Sequence, residues 1–213
     1  MTGARLFRAM LVLGSVFFLA GCLAEARKTG WAAGYGSSYS EPIAVVMPKN
    51  AYSITQQFRR AALHDGAHEV SDHFWIDVHA PIGTPVLAAA EGRVIASHWE
   101  PGYGHRVEID HGTDGSGKVA QTNYVHMQKR LVKKGDQVGQ GQKIATLGAT
   151  GLTAGGFPHL HFEVLYGGAS LRHHAQDPHL FWANGVGRVT CLGSKRSGRR
   201  GGTFKITYPV LCK

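Results

Sequence analysis

From about Ala51 to Trp182 the apolar residues never recur at helical spacing over a useful length; the chain runs instead in short apolar segments cut by glycine. Examples are Pro85-Val-Leu-Ala-Ala89, Gly92-Arg-Val-Ile-Ala-Ser97, His105-Arg-Val-Glu-Ile-Asp110, Gln121-Thr-Asn-Tyr-Val-His126 and His159-Leu-His-Phe-Glu-Val-Leu165. Strict alternation in Arg106–Asp110 and in the His159 run is the mark of half-buried strands. With 29 glycines to make tight turns between them, these runs predict a mostly β, antiparallel domain over residues 51–182, without internal repeats. A hydrophobic content of 43% against 17% charged residues can bury a core and excludes a disordered chain. A length of 213 residues fits one such domain with appendages.

The first appendage is a leader. Arg5 and Arg8 precede the apolar run Leu11–Ala20, which has the length of a signal-peptide core and is short for a bilayer-spanning helix. It ends in Leu19-Ala20-Gly21-Cys22, which resembles a bacterial lipobox. That resemblance implies removal of residues 1–21 and lipid attachment at Cys22, so that the protein is held on a membrane surface without crossing it. Residues 22–50, with the turn-prone Tyr35-Gly-Ser-Ser-Tyr-Ser-Glu-Pro42, read as the lipidated N-terminus and a flexible tether.

Two further cysteines, Cys191 and Cys212, lie near the C-terminus. In an exported protein they are expected to pair, closing a loop of about 20 residues at a gain of roughly 3 kcal/mol. Loss of the leader removes two arginines and no acid, leaving 21 basic against 14 acidic residues, a net charge of +7. Arg188, Lys195, Arg196, Arg199, Arg200, Lys205 and Lys213 carry that excess, so residues 183–213 read as a basic tail, closed by the disulfide.

Thirteen histidines are unusual, and spacing selects among them. In a strand, residues two apart share a face, so His159 and His161 project together while Leu160 and Phe162 turn inward. The offset of four between His73 and Asp77 returns both side chains to one face of a strand or a helix. Two imidazoles and a carboxylate from His73, Asp77 and His161 suit zinc and leave a fourth tetrahedral position for water. Tyr124-Val125-His126 supplies another histidine, sharing a strand face with the tyrosine and lacking a close acidic neighbour, as befits a proton carrier. His79, His98, His105, His111, His173, His174 and His179 read as surface or packing residues.

In their order and spacing, His73-x-x-x-Asp77, Tyr124-x-His126 and His159-x-His161 resemble the lysostaphin/LytM-type zinc metalloendopeptidases. Ile76–Val94, Gly102–Gly112, Lys134–Gly151 and Pro158–Val164 are similar to that family as well, so the likeness covers roughly residues 51–166. The resemblance implies a duplicated-hybrid-motif type of antiparallel sheet with an open groove, one zinc ion on His73, Asp77 and His161, catalytic support from His126 and His159, and hydrolysis of peptidoglycan peptides. One position departs: Trp75 stands where the family has glycine between the first histidine and the aspartate, so narrowing of the groove or a shift of Asp77 is expected. Leu63–Asp72 also matches poorly and reads as a variable loop at the groove edge.

Two other functions fit parts of the sequence. A catalytically silent relative that activates another wall hydrolase would share the fold but would not need the full set of histidines. A biotinyl or lipoyl carrier has similar text around Val132–Ile144, but a lysine displayed at a hairpin tip is missing. Nucleic acid is excluded as a partner by export. Leu23 after Cys22 lacks the aspartate-type retention signal, which points to the outer membrane, facing the periplasm. The basic tail is expected to help hold the protein on anionic wall or lipid.

Overall fold

A computed structural model describes residues 43–59, 73–168, 175–193 and 202–213. Leader, Cys22, most of the tether, the Leu63–Asp72 loop, His173, His174, Lys195, Arg196, Arg199 and Arg200 lie outside these residues.

Among the described residues the regular structure is β, with no α-helix. The strands are β1 (Ile54–Gln56), β2 (Ile76–His79), β3 (Pro85–Leu87), β4 (Gly92–Glu100), β5 (Gly104–Thr113), β6 (Val119–Met127), β7 (Lys129–Arg130), β8 (Gln137–Val138), β9 (Lys143–Thr146), β10 (His159–Gly167) and β11 (Ala175–Gln176). The larger sheet has the order β1-β2-β10-β6-β5-β4-β8, with β11 on β10; a smaller one has the order β3-β9-β7. All strand pairs are antiparallel, as the alternating runs predict.

Alternation explains how β10 serves two surfaces at once. Leu160, Phe162 and Val164 are fully buried on the core side, while His159 and His161 stand on the opposite face. Val107 and Ile109 of β5 and Tyr124 of β6 join the same core. Tyr124 packs on Phe162 at 5.3 Å between ring centroids, and its hydroxyl accepts from the Ala89 N–H at 2.8 Å.

The buried core includes residues on both sides of the 51–182 stretch expected from sequence. Phe204, Ile206, Tyr208 and Val210, assigned in sequence to a tail, are buried in the common core. Backbone bonds from Leu87 N to Pro209 O (2.8 Å), Thr207 N to Ala89 O (2.8 Å) and Leu211 N to Pro85 O (3.0 Å) lay the last residues beside β3. The alternation of Phe204, Ile206, Tyr208 and Val210 is the signal: charge drew attention to the arginines and lysines, whereas every second residue is apolar and inward. Val45 is buried too, and Val46 exchanges backbone bonds with Gly187 and Val189, so residues 43–50 are packed and are not free tether. Cys191 and Cys212 are disulfide-bonded with 6.1 Å between Cα atoms. Beside them Lys213 N donates to Asn50 O at 2.8 Å, joining the two ends of the domain.

Candidate active site

Strand register brings distant residues together. In the β2–β10 ladder His161 is opposite Asp77 and His159 is opposite His79. Cross-strand partners point to the same face, so Asp77 and His161 meet across 84 positions of sequence. An antiparallel bridge between Arg59 and His73 extends the edge, and places the His73 Nε2 3.4 Å from Asp77 Oδ2.

His126 arrives by a different device. Register pairs Val125 with His161 and Tyr124 with Phe162, so regular alternation would send His126 toward the core. Its φ of 64° is the one left-handed value at a non-glycine position among the described residues, and it coincides with a register shift between β5 and β6. Such a bulge re-aims a side chain, at a strain of order 1–3 kcal/mol held by the surroundings. Tyr124 and His126 therefore face opposite ways, contrary to the expectation that they share a face. The ring of His126 lies 4.8 Å from that of His159 and 5.7 Å from that of His161. Gly104 and Gly151, at φ 68° and 88°, allow the β4–β5 turn and the loop before β10 to meet backbone to backbone, where a Cβ on either would clash. Across this junction Thr150 O accepts from His126 Nδ1 at 2.9 Å.

One ring nitrogen of each of the four histidines faces an acceptor that has no hydrogen to give. His73 Nδ1 donates to the carbonyls of Gln57 (2.9 Å) and Trp75 (3.0 Å), and His159 Nδ1 to that of Phe157 (2.8 Å). His161 Nε2 donates to Glu163 Oε1 at 2.7 Å. The network thus assigns the proton to those nitrogens and leaves lone pairs on His73 Nε2, His126 Nε2, His159 Nε2 and His161 Nδ1. Three of these lone-pair nitrogens surround one carboxylate: besides His73, His159 Nε2 is 3.8 Å and His161 Nδ1 is 4.0 Å from Asp77 Oδ1. That oxygen is buried and accepts no hydrogen bond.

A buried carboxylate oxygen with no donor, ringed by lone pairs, is costly unless a cation joins it. Metal–donor bonds of about 2.0–2.1 Å in a tetrahedron put neighbouring donors roughly 3.4 Å apart. The His73–Asp77 spacing of 3.4 Å meets this value and the Asp77–His161 spacing of 4.0 Å exceeds it modestly. Among the described residues no three donors are gathered into a ready-made cluster. The chemistry of the set, imidazole nitrogens around a carboxylate oxygen that accepts no hydrogen bond, nonetheless fits a zinc ion.

Aromatic side chains frame the opening. Trp75 stacks on His161 (4.4 Å, 24°) and leans on His73 (4.3 Å, 44°), so it braces two of the candidate donors. Tyr103 lies 6.1 Å from His161 and 6.3 Å from His126, and Phe157 stacks on His79 at 4.7 Å. Tyr103 and Phe157 were missed in sequence; an exposed aromatic beside glycine carries no periodic signal.

Of the histidines read as surface or packing residues, His179 is fully buried: Trp182 Nε1 donates to its Nδ1 at 2.8 Å, and its Nε2 meets Gln57 Oε1 at 2.7 Å. Burial pushes His126, His111 and His179 down to about 4, and the Asp177 carboxyl up to about 7. Unfolded histidine titrates near 6.5, so below that pH the unfolded chain binds up to three protons that the fold refuses. Asp177 works in the opposite sense, since below pH 7 the folded form holds a proton that the unfolded form takes up only near 3.8. The balance favours unfolding by nearly two protons between pH 6.5 and 4, which is about 2–3 kcal/mol per pH unit at its steepest. Thermal melts of metal-free protein at pH 7, 6 and 5 are expected to fall progressively; an unchanged Tm would contradict these assignments.

Fold and site together define an antiparallel β protein that carries a histidine-rich, carboxylate-centred site on one sheet face. Residues 71–178, just over half of the chain, match the model of peptidase family M23, and the chain belongs to that family. It is 39% identical over 121 residues to the peptidoglycan DD-endopeptidase ShyC of Vibrio cholerae, a match covering 57% of this chain and 26% of that protein. It is 38% identical over 96 residues to lipoprotein NlpD of Yersinia enterocolitica, covering 45% of this chain and 91% of NlpD. The NMR solution structure of lysostaphin aligns with a TM-score of 0.50 at 29% identity, covering 71% of this chain and 58% of lysostaphin. The chain thus spans about a quarter of the length of the Vibrio endopeptidase, and what is shared is the β domain.

Proposed function

We propose that the protein is a zinc-dependent endopeptidase that hydrolyses peptide cross-links or stem peptides of bacterial peptidoglycan. The observation that carries this reading is the convergence of lone-pair nitrogens on the Asp77 carboxylate, whose buried Oδ1 accepts no hydrogen bond. His73, Asp77 and His161 would hold one zinc ion through Nε2, the carboxylate and Nδ1. When bound, zinc polarises the scissile carbonyl and brings the pKa of water toward neutrality. His126 and His159 present their Nε2 atoms beside this set, one to accept the proton of the attacking water on its lone pair, the other, once it carries a proton on Nε2, to donate to the charge developing on the carbonyl oxygen. Burial keeps His126 neutral at neutral pH, so its lone pair is available. Proton return from the same imidazole to the departing amine completes the cleavage.

The substrate class follows the named relatives, of which ShyC is a peptidoglycan DD-endopeptidase. Cross-links such as a D-alanyl–diaminopimelyl bond are the expected target. Lipidation at Cys22 would place the enzyme on the outer membrane, facing the periplasmic wall, with the basic residues of the C-terminal segment assisting retention there. Incubation of the full chain with purified peptidoglycan is expected to release soluble fragments, with release stopped by a chelator and restored by zinc. Failure to release fragments with zinc bound would favour the alternative, a silent LytM-type regulator that activates another wall hydrolase.

A further inference from the structure

We infer that Glu163, backed by Asn123, is a positioning residue that fixes the tautomer and aim of His161, an assignment that rests on the proposed zinc reading of the site. Two residues along β10 from His161, Glu163 stands on the same face of the strand. Its Oε1 accepts from His161 Nε2 at 2.7 Å, which compels that nitrogen to carry the proton and turns the Nδ1 lone pair toward Asp77. Its other oxygen, Oε2, accepts from Asn123 Nδ2 at 2.6 Å. Asn123 lies directly opposite Glu163 in the β6–β10 ladder and is almost fully buried.

Asn123 is itself oriented. Its Oδ1 accepts from Gln121 Nε2 at 2.8 Å, and Gln121 Nε2 also approaches Glu108 Oε2 at 3.3 Å. Glu108 in turn holds Arg106 at 2.7 Å. The direction of donation is therefore set along a line across β10, β6 and β5: a carboxylate can only accept, so the Asn123 amide nitrogen must face Glu163 and its oxygen must face Gln121. A glutamine at position 163 would turn an amide NH2 toward that of Asn123, or else toward His161. Either choice breaks the chain or removes the obligation on His161 Nε2. Glu163 thus puts a carboxylate behind the His161 ring, on the side away from Asp77.

The test uses the full chain in detergent, stripped of metal, with zinc alone as the probe. Glu163→Gln is expected to weaken zinc binding by about 10–100-fold in competition with a chromophoric chelator, and Asn123→Ala to weaken it less. Nitrogen-15 spectra of the metal-free wild-type protein should show His161 protonated at Nε2, and those of Glu163→Gln should show both tautomers. Undiminished zinc affinity in Glu163→Gln, or an Nδ1 proton on His161 in the wild type, overturns the role of Glu163; the second observation needs no variant to fold. Should wild-type protein bind zinc no better than His161→Ala, the zinc reading itself falls, and this inference with it.

Discussion

Replacing His161 by alanine is expected to reduce peptidoglycan cleavage by at least about 10³-fold, a larger loss than removal of a supporting partner or a single oxyanion donor causes. The position is central for geometric reasons. His161 is opposite Asp77 in the β2–β10 ladder, beside Val125 of β6, under the Trp75 ring and bonded to Glu163. Its imidazole contributes chemistry on the site face, whereas the core contacts of β10 come from Leu160, Phe162 and Val164. Truncation therefore leaves the hydrophobic packing of the strand intact, and a Tm within a few degrees of wild type is expected. The residual Glu163 carboxylate loses its partner but remains within reach of Asn123. Quantified fragment release, alongside a melt of the same sample, checks both halves. Activity within tenfold of wild type would remove His161 from the candidate metal set.

The second large effect concerns stability. A chain ending at residue 201 is expected not to fold cooperatively at all. It would lose the buried side chains of Phe204, Ile206, Tyr208 and Val210, together with the backbone bonds that this segment makes to Pro85, Leu87 and Ala89. Buried residues of these kinds are worth about 2–5 kcal/mol each when truncated, so the combined loss is on the order of 10 kcal/mol, against a total of about 5–15 kcal/mol for a typical domain. Tyr208 adds a hydroxyl bond to the Tyr52 carbonyl at 2.7 Å, which ties the segment to the entrance of the domain. The truncated chain is thus expected to show no sigmoidal thermal transition by circular dichroism. A melt resembling that of the full chain would show the segment to be dispensable. For the same reason, wall retention by the basic residues should be tested by charge-reversing Arg188, Lys205 and Lys213 together, since deletion would remove core as well as charge.

Much of the architecture was legible from period alone. The five runs quoted from the sequence correspond to β3, β4, β5, β6 and β10; in Arg106–Asp110 and the His159 run the two-residue repeat has one physical use, a half-buried sheet. The pairing of His159 with His161 and of His73 with Asp77 followed from the same rule. The facing of His126 did not, since a bulge depends on tertiary contacts with Thr150 and Tyr103 that leave no trace in the local pattern. The C-terminal segment was hidden by composition: seven basic residues suggested a solvated tail, although apolar residues alternate from Phe204 to Val210. Glu163 was visible as part of the β10 run, but its bond to His161 becomes meaningful only once Asn123 is known to stand opposite. Buried His179 likewise was not recognised, because one of its partners, Gln57, comes from the far end of the domain.

His73, Asp77 and His161 are proposed to form a zinc-dependent peptide-hydrolysing centre served by His126 and His159. Mass spectrometry of a purified, peptide-cross-linked muropeptide dimer incubated with the zinc-loaded protein tests it most directly. The dimer is expected to be converted into two monomers with uptake of one water at the peptide cross-link, and chelation is expected to abolish the conversion. A dimer left intact by protein that demonstrably holds zinc, or cut only in its glycan, would contradict it.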